Sequence, residues 1–118
     1  MTAATTQRRA YVVGYLEDVA MGPEIVAYMA RIESTFEPFG GEWVVHGTTP
    51  QVVEGVLRGD VVIIGFPSLA EARAWYESSA YQSILELRTR NCRSIVMMLE
   101  GVPAGYEAAE TIASLPVG

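Results

Sequence analysis

The stretch "VVIIGFPSLAEARAWYESSAYQSILELR", Val61–Arg88, decides the fold. Its opening, Val61–Phe66, is apolar and mostly β-branched, which reads as a strand. Apolar and polar residues do not alternate there, so both faces of that strand are predicted to be buried. Ser68-Leu69-Ala70-Glu71 then has the form of a capping box, in which the serine hydroxyl accepts from the backbone N–H three residues on. The helix it opens turns Leu69, Ala72 and Trp75 or Tyr76 inward. Ser78 and Ser79 interrupt it, and Ser79-Ala80-Tyr81-Gln82 fits the same box with glutamine for glutamate, either serine serving as the N-cap. A second helix follows, with Tyr81, Ile84, Leu85 and Arg88 along one side. The expectation is two capped helices meeting at a serine bend, with the aromatics fastening the bend to the sheet.

Working outward, "AYVVGYLE" (Ala10–Glu17) reads as a first strand. Pro23 suits the first position of a helix, where its missing N–H costs nothing. Ile25, Met29, Ile32, Phe36 and Phe39 then recur at helical spacing as one apolar stripe, and Gly40 and Gly41 end it. "EWVVHG" (Glu42–Gly47) is a second strand, with "QVVEGV" as a short irregular continuation. "RSIVMMLEGV" (Arg93–Val102) is the fourth strand, and "YEAAETIASL" forms a short terminal helix. The order β-α-β-β-α-β is the split, ferredoxin-like pattern of an α+β domain, with strand order 4-1-3-2. Two helices cover one face of such a sheet. The non-alternating "VVIIGF" and "SIVMML" require the other face to be covered too, and a second copy of the same face does so. The prediction is a sheet-on-sheet homodimer, a dimeric α/β barrel.

The absence of any repeat or linker gives one domain over 10–102, a frayed tail over 1–9 and an extension over 103–118. Half of the 118 residues are apolar, which is high for a small domain with much surface to cover and fits an interface. The net charge of −6 disfavours a nucleic-acid partner. No apolar run is long enough to span a bilayer, and "MTAATTQRRA" lacks the apolar segment of a secretory signal. All eight cations are arginine, so lysine Schiff-base chemistry is excluded. The single cysteine, Cys92, allows no internal disulfide and fits a reducing cytoplasm. No metal site is expected from one histidine, one cysteine and unclustered carboxylates.

"FPSLAEARAWYESSAYQSILELR" resembles the hallmark of a bacterial family of about a hundred residues known as domain of unknown function 1330, whose members read F-P-S, then A-x-x-W-Y-x-S-P-E-Y-Q, then L-R. "PFGGEWVVHG" and "VVEG" resemble the same family, and the likeness runs from Ala10 to Val102. It implies a ferredoxin-like domain pairing as a dimeric α/β barrel, without an established activity. This chain departs from the pattern in having Ser79-Ala80 for Pro-Glu, His46 where arginine is common and Thr48 where glycine is. A role for that glutamate, or for that arginine as an anion binder, therefore does not carry over. Glu54 matches the family's glutamate.

His46 is the one side chain with an unperturbed pKa near neutrality. On strand two, period-two alternation puts it on the face of Val44 and Glu42, opposite Trp43 and Val45. It can serve as a general base, with Glu54 as its partner, or be a strand-end histidine bonded to backbone or water. Gly14 and Gly65, inside apolar strands, can open a pocket between sheet and helices, lined by Tyr11, Tyr15, Tyr28 and Trp43; a bulky helix residue such as Met29 or Phe36 can equally fill that space. Cys92 stands beside Arg90 and Arg93, which can activate it, or it simply packs. Two functions follow. One is cofactor-free binding or transformation of a small carbonyl-bearing or cyclic metabolite. The other is a non-catalytic dimeric ligand-sensing or interaction module.

Overall fold

The computed structural model describes residues 8–116; most of the tail expected over 1–9 lies outside them. Its elements are β1 (Ala10–Glu17), α1 (Pro23–Phe36) with a 3-10 turn (Glu37–Phe39), β2 (Glu42–Val45), β3 (Asp60–Phe66), α2 (Leu69–Glu77), α3 (Ser79–Gln82), α4 (Leu85–Thr89), β4 (Arg93–Glu100) and α5 (Ala108–Ser114). The four strands form one antiparallel sheet in the order β2-β3-β1-β4. This is the ferredoxin-like α+β arrangement that the sequence predicts.

Strand periodicity sorts the sheet into two faces. On the inner face, Met98, Val12, Ile64 and Trp43 form one cross-strand row, and Val96, Gly14 and Val62 the next. Val12, Ile64, Ala10 and Phe66 join Ile32 and Phe36 of α1 and Ala72, Trp75, Tyr81 and Ile84 of the later helices in one core. On the outer face, Leu99, Tyr11 and Gly65 are in register, then Met97, Val13 and Ile63, then Ile95, Tyr15 and Val61. No described helix covers it: Ile95, Met97 and Leu99 are 57%, 40% and 51% exposed.

The Ser68 hydroxyl accepts from Glu71 N at 3.2 Å, and of the two serines at the bend Ser78 caps the second helix, accepting from Tyr81 N at 3.2 Å. The expected second helix divides in two. Ile84 N and Leu87 N bond three residues back, to Tyr81 O and Ile84 O, and these tighter turns bring Ile84 into the core. α1 also sits rotated from the expected stripe: Tyr28 faces the core, while Met29 is 45% exposed. "QVVEGV" is not a strand. Pro50 precedes it without a backbone donor, and Gly55 at φ 88 breaks the extended run. Val53 there is 92% exposed.

Two polar clips fix the helices to one another. The Glu24 carboxylate accepts from Asn91 Nδ2 at 2.9 Å and Arg90 Nη2 at 2.8 Å. The Asn91 bond first, then Arg90, holds it below the usual carboxylate range. This pins the start of α1 to the end of α4. Trp75 Nε1 donates to Thr35 Oγ1 at 2.9 Å, joining α2 to α1 inside the core.

Candidate functional site

Between the inner sheet face and α1 lies a cleft of about 380 Å³, within the size range of small-molecule sites. Its floor is Val12, Gly14, Ile64 and Val96, and α1 supplies Ile25, Tyr28 and Ile32. The cleft exists because Gly14 adds no side chain to the row between Val96 and Val62. A Cβ there would come within 3.0 Å of Val62 Cγ2.

The cleft runs across the sheet between two unlike ends. Over β2, Trp43 and His46 stack with ring centroids 4.0 Å apart and an interplanar angle of 22°. Trp43 Nε1 donates to Glu33 Oε2 at 2.8 Å, and its ring meets Phe36 edge-on at 5.3 Å, so the indole is fixed. His46 is exposed and marks the opening. Over β4, three strand spacings and so roughly 14 Å away, Arg88, Tyr28 and Tyr81 converge. The two tyrosine hydroxyls are 2.7 Å apart. Arg88 donates to Ser94 Oγ and, through Nη2 at 3.4 Å, to Tyr81 Oη, with its guanidinium 5.8 Å from the Tyr28 ring centre.

Burial, reinforced by the neighbouring Tyr81 hydroxyl, pushes the Tyr28 phenol well above its ordinary value. Tyr28 is therefore a neutral hydrogen-bond donor at any physiological pH. The raised folded value has a consequence for stability. In the unfolded chain the phenol ionises near pH 10, while in the folded chain it does not. Its contribution is complete below that pH and is lost as pH rises beyond it. Urea melts at pH 9 and pH 11 should show this loss, and Tyr28→Phe should lessen the drop.

The candidate residues separate. Tyr28, Trp43 and His46 line the cleft. His46 does so from the side opposite to the one expected. The register shifts between Trp43 and Val45, which pair with Ile64 and Ile63. The extra residue at this bulge reverses the alternation and turns His46 to the Trp43 side. Tyr11 and Tyr15 belong to the outer face, in register with Leu99 and Ile95, and do not line the cleft. Period-two alternation requires this once Val12 and Gly14 point inward. Gly65 likewise faces outward, against Arg9 and Val44. Glu54 sits exposed in the loop after β2. Among the described residues no ion pair joins it to His46 or Arg58. Cys92 lines the cleft, with Sγ directed at Arg88 O at 3.5 Å. Arg90 and Arg93 are engaged elsewhere, by Glu24 and Glu86 and by Asp18. No group of three or more His, Cys, Asp or Glu suited to a metal occurs among the described residues, and no described helix is long and apolar enough to cross a membrane.

Arg88, which lines the cleft, is not among the site residues expected from the sequence. Its signal was visible as the one charged member of the side formed by Tyr81, Ile84, Leu85 and Arg88. A cation at the end of an apolar helical stripe is either solvated or held inside for a reason.

Residues 9–102 match the family described as "Domain of unknown function (DUF1330)". No curated protein matches the chain in sequence. Among solved structures, the protein of unknown function RPA0582 from Rhodopseudomonas palustris is similar at 20% identity over 81% of this chain and 84% of that chain, with a TM-score of 0.63. SnoaB, a cofactor-independent oxygenase from Streptomyces nogalater, is similar at 15% identity over 85% of this chain and 99% of that chain, with a TM-score of 0.59. At these identities the likeness is one of fold.

Proposed function

We propose a function for this chain, which belongs to the family described as domain of unknown function (DUF1330): it binds a small cyclic or carbonyl-bearing metabolite in the cleft between sheet and α1. The observation that carries this reading is the cleft itself, about 380 Å³ kept open above Gly14 beside a closely filled core. Interiors pack to crystal density with few voids larger than a water molecule. The lining supports the same reading: aliphatic walls, a fixed indole at one end and convergent polar groups at the other. A protein of this fold is described as a cofactor-independent oxygenase, so the fold accommodates chemistry without a cofactor, though that is analogy. If the bound molecule is transformed, His46 at the opening is the group placed for proton transfer. Glu54, exposed in its loop, makes no ion pair with His46 among the described residues. The working form is a homodimer paired through the outer sheet faces, in a reducing cytoplasm where Cys92 stays a thiol.

A thermal-shift screen against cyclic and carbonyl-bearing metabolites tests this. A ligand at about 100 times its Kd stabilises the folded state by about 2.7 kcal/mol, on the order of 10 °C in Tm for a domain of this size. Gly14→Val fills the floor and should abolish the shift while the free protein still folds, since Val62 can yield to the new side chain. Hits that persist in Gly14→Val, or a library without hits, would contradict the reading.

A further inference from the structure

Arg88 holds a charge that the fold leaves uncompensated. The side chain is 5% exposed, yet it lines the cleft. Two of the five N–H groups of its guanidinium are used, on Ser94 Oγ and Tyr81 Oη. Buried Nε has no hydrogen-bond partner. Among the described residues no carboxylate contacts Arg88, whereas Arg8, Arg9 and Arg93 each contact one and Arg90 contacts two. Tyr28 stays neutral and so cannot serve as its counter-ion. An arginine keeps its proton in any protein setting, and a buried cation without an anion is costly. A methionine would fill the same helical position at no such cost.

We propose that Arg88, with the Tyr28–Tyr81 hydroxyl pair, is the seat for the carboxylate of the ligand, and that the ligand class is therefore a cyclic or aromatic monocarboxylic acid. This deepens the small-molecule reading of the cleft and rests on it. The guanidinium fork matches a planar carboxylate. Tyr81 accepts from Arg88, which makes its own proton the better donated one. Tyr81 then donates to Tyr28, and the Tyr28 hydroxyl hydrogen is left for the ligand. Arg88 is the one arginine lining the cleft, whose one carboxylate, Asp60, makes no ion pair with it among the described residues, so the seat fits one negative charge. A dianionic phosphate would lack its second counter-charge, in a chain of net charge −6. The remainder of the ligand lies along Val12 and Ile64 toward the Trp43 indole.

The test titrates benzoate and phenylacetate, each against its neutral amide, at fixed ionic strength held with chloride. Readouts are Tm and the NMR signals of the His46 imidazole and Trp43 indole. The carboxylates should bind roughly tenfold or more tightly than their amides. Arg88→Met should lose that preference while its Tm is no lower than wild type, because a buried unpaired charge has been removed. Tyr28→Phe, which keeps the ring, should weaken the carboxylates and leave the amides unchanged. If Arg88→Met does not fold, the wild-type comparison and Tyr28→Phe decide. Equal binding of acid and amide, or full carboxylate binding in Arg88→Met, overturns the anion seat but leaves the cleft a binding site. Carboxylates that fail to bind at all also overturn it, and neutral compounds seen in the cleft would still uphold the broader reading.

Discussion

Trp75→Ala should destabilise the fold by about 3–5 kcal/mol, the cost of deleting a large buried aromatic. Trp75 is 1% exposed. Its ring lies 5.4 Å from Phe66 and 4.2 Å from Tyr81, centre to centre. Its indole N–H is the partner of the buried Thr35 hydroxyl, which itself donates to Ile32 O at 2.6 Å. The alanine variant loses both the packing and that bond. Trp75→Phe keeps most of the packing and leaves the Thr35 hydroxyl bonded to Ile32 O, so it should cost about 0.5–1.5 kcal/mol, the net contribution of one hydrogen bond. Urea denaturation measures both. A loss below about 1 kcal/mol for alanine would mean that the serine bend is not fastened through Trp75. With domain stabilities of roughly 5–15 kcal/mol, the alanine variant should lie near the limit of folding.

Met97→Glu should convert the proposed dimer into a folded monomer. Met97 stands in the middle of the outer face, in register with Val13, which pairs in turn with Ile63. It is 40% exposed in the single chain, so a glutamate there remains solvated in the monomer and folding is spared. In a sheet-on-sheet pair the same carboxylate would be buried without a partner, at a cost of several kcal/mol. Sedimentation should give wild type about twice the 12.8 kDa chain mass and the variant one chain mass, with unchanged circular dichroism. A wild-type monomer at micromolar concentration would remove the proposed pairing.

The fold was legible because its signals are local and agree with one another. Serine caps, Pro23, the glycine stop and the β-branched runs each mark a boundary that the structure keeps to within a few residues. Lack of alternation in "VVIIGF" and "SIVMML" pointed to an apolar outer face, and that face is there. The site was harder because it depends on which face each side chain takes. The bulge beside Val44 moves His46 to the other side of the sheet, and nothing in "EWVVHG" shows that one residue is unpaired. Tyr11 and Tyr15 are a different case. The same period-two rule that points Gly14 inward sends them outward, so their exclusion was available in the sequence. Arg88 was visible as a charge on an apolar stripe. Its lack of a counter-ion depends on residues far apart in the chain and emerged only from the packing of α4 against α1 and β4.

The measurement that tests the small-molecule reading most directly is a two-dimensional NMR titration of the isotopically labelled protein with hits from the metabolite screen. Saturable shifts are expected at Tyr28, Trp43, His46 and Arg88, at both ends of the cleft, with Tyr11, Tyr15 and Met97 on the outer face unmoved. Shifts confined to the outer face, or no saturable shift at any of the cleft residues, would contradict it.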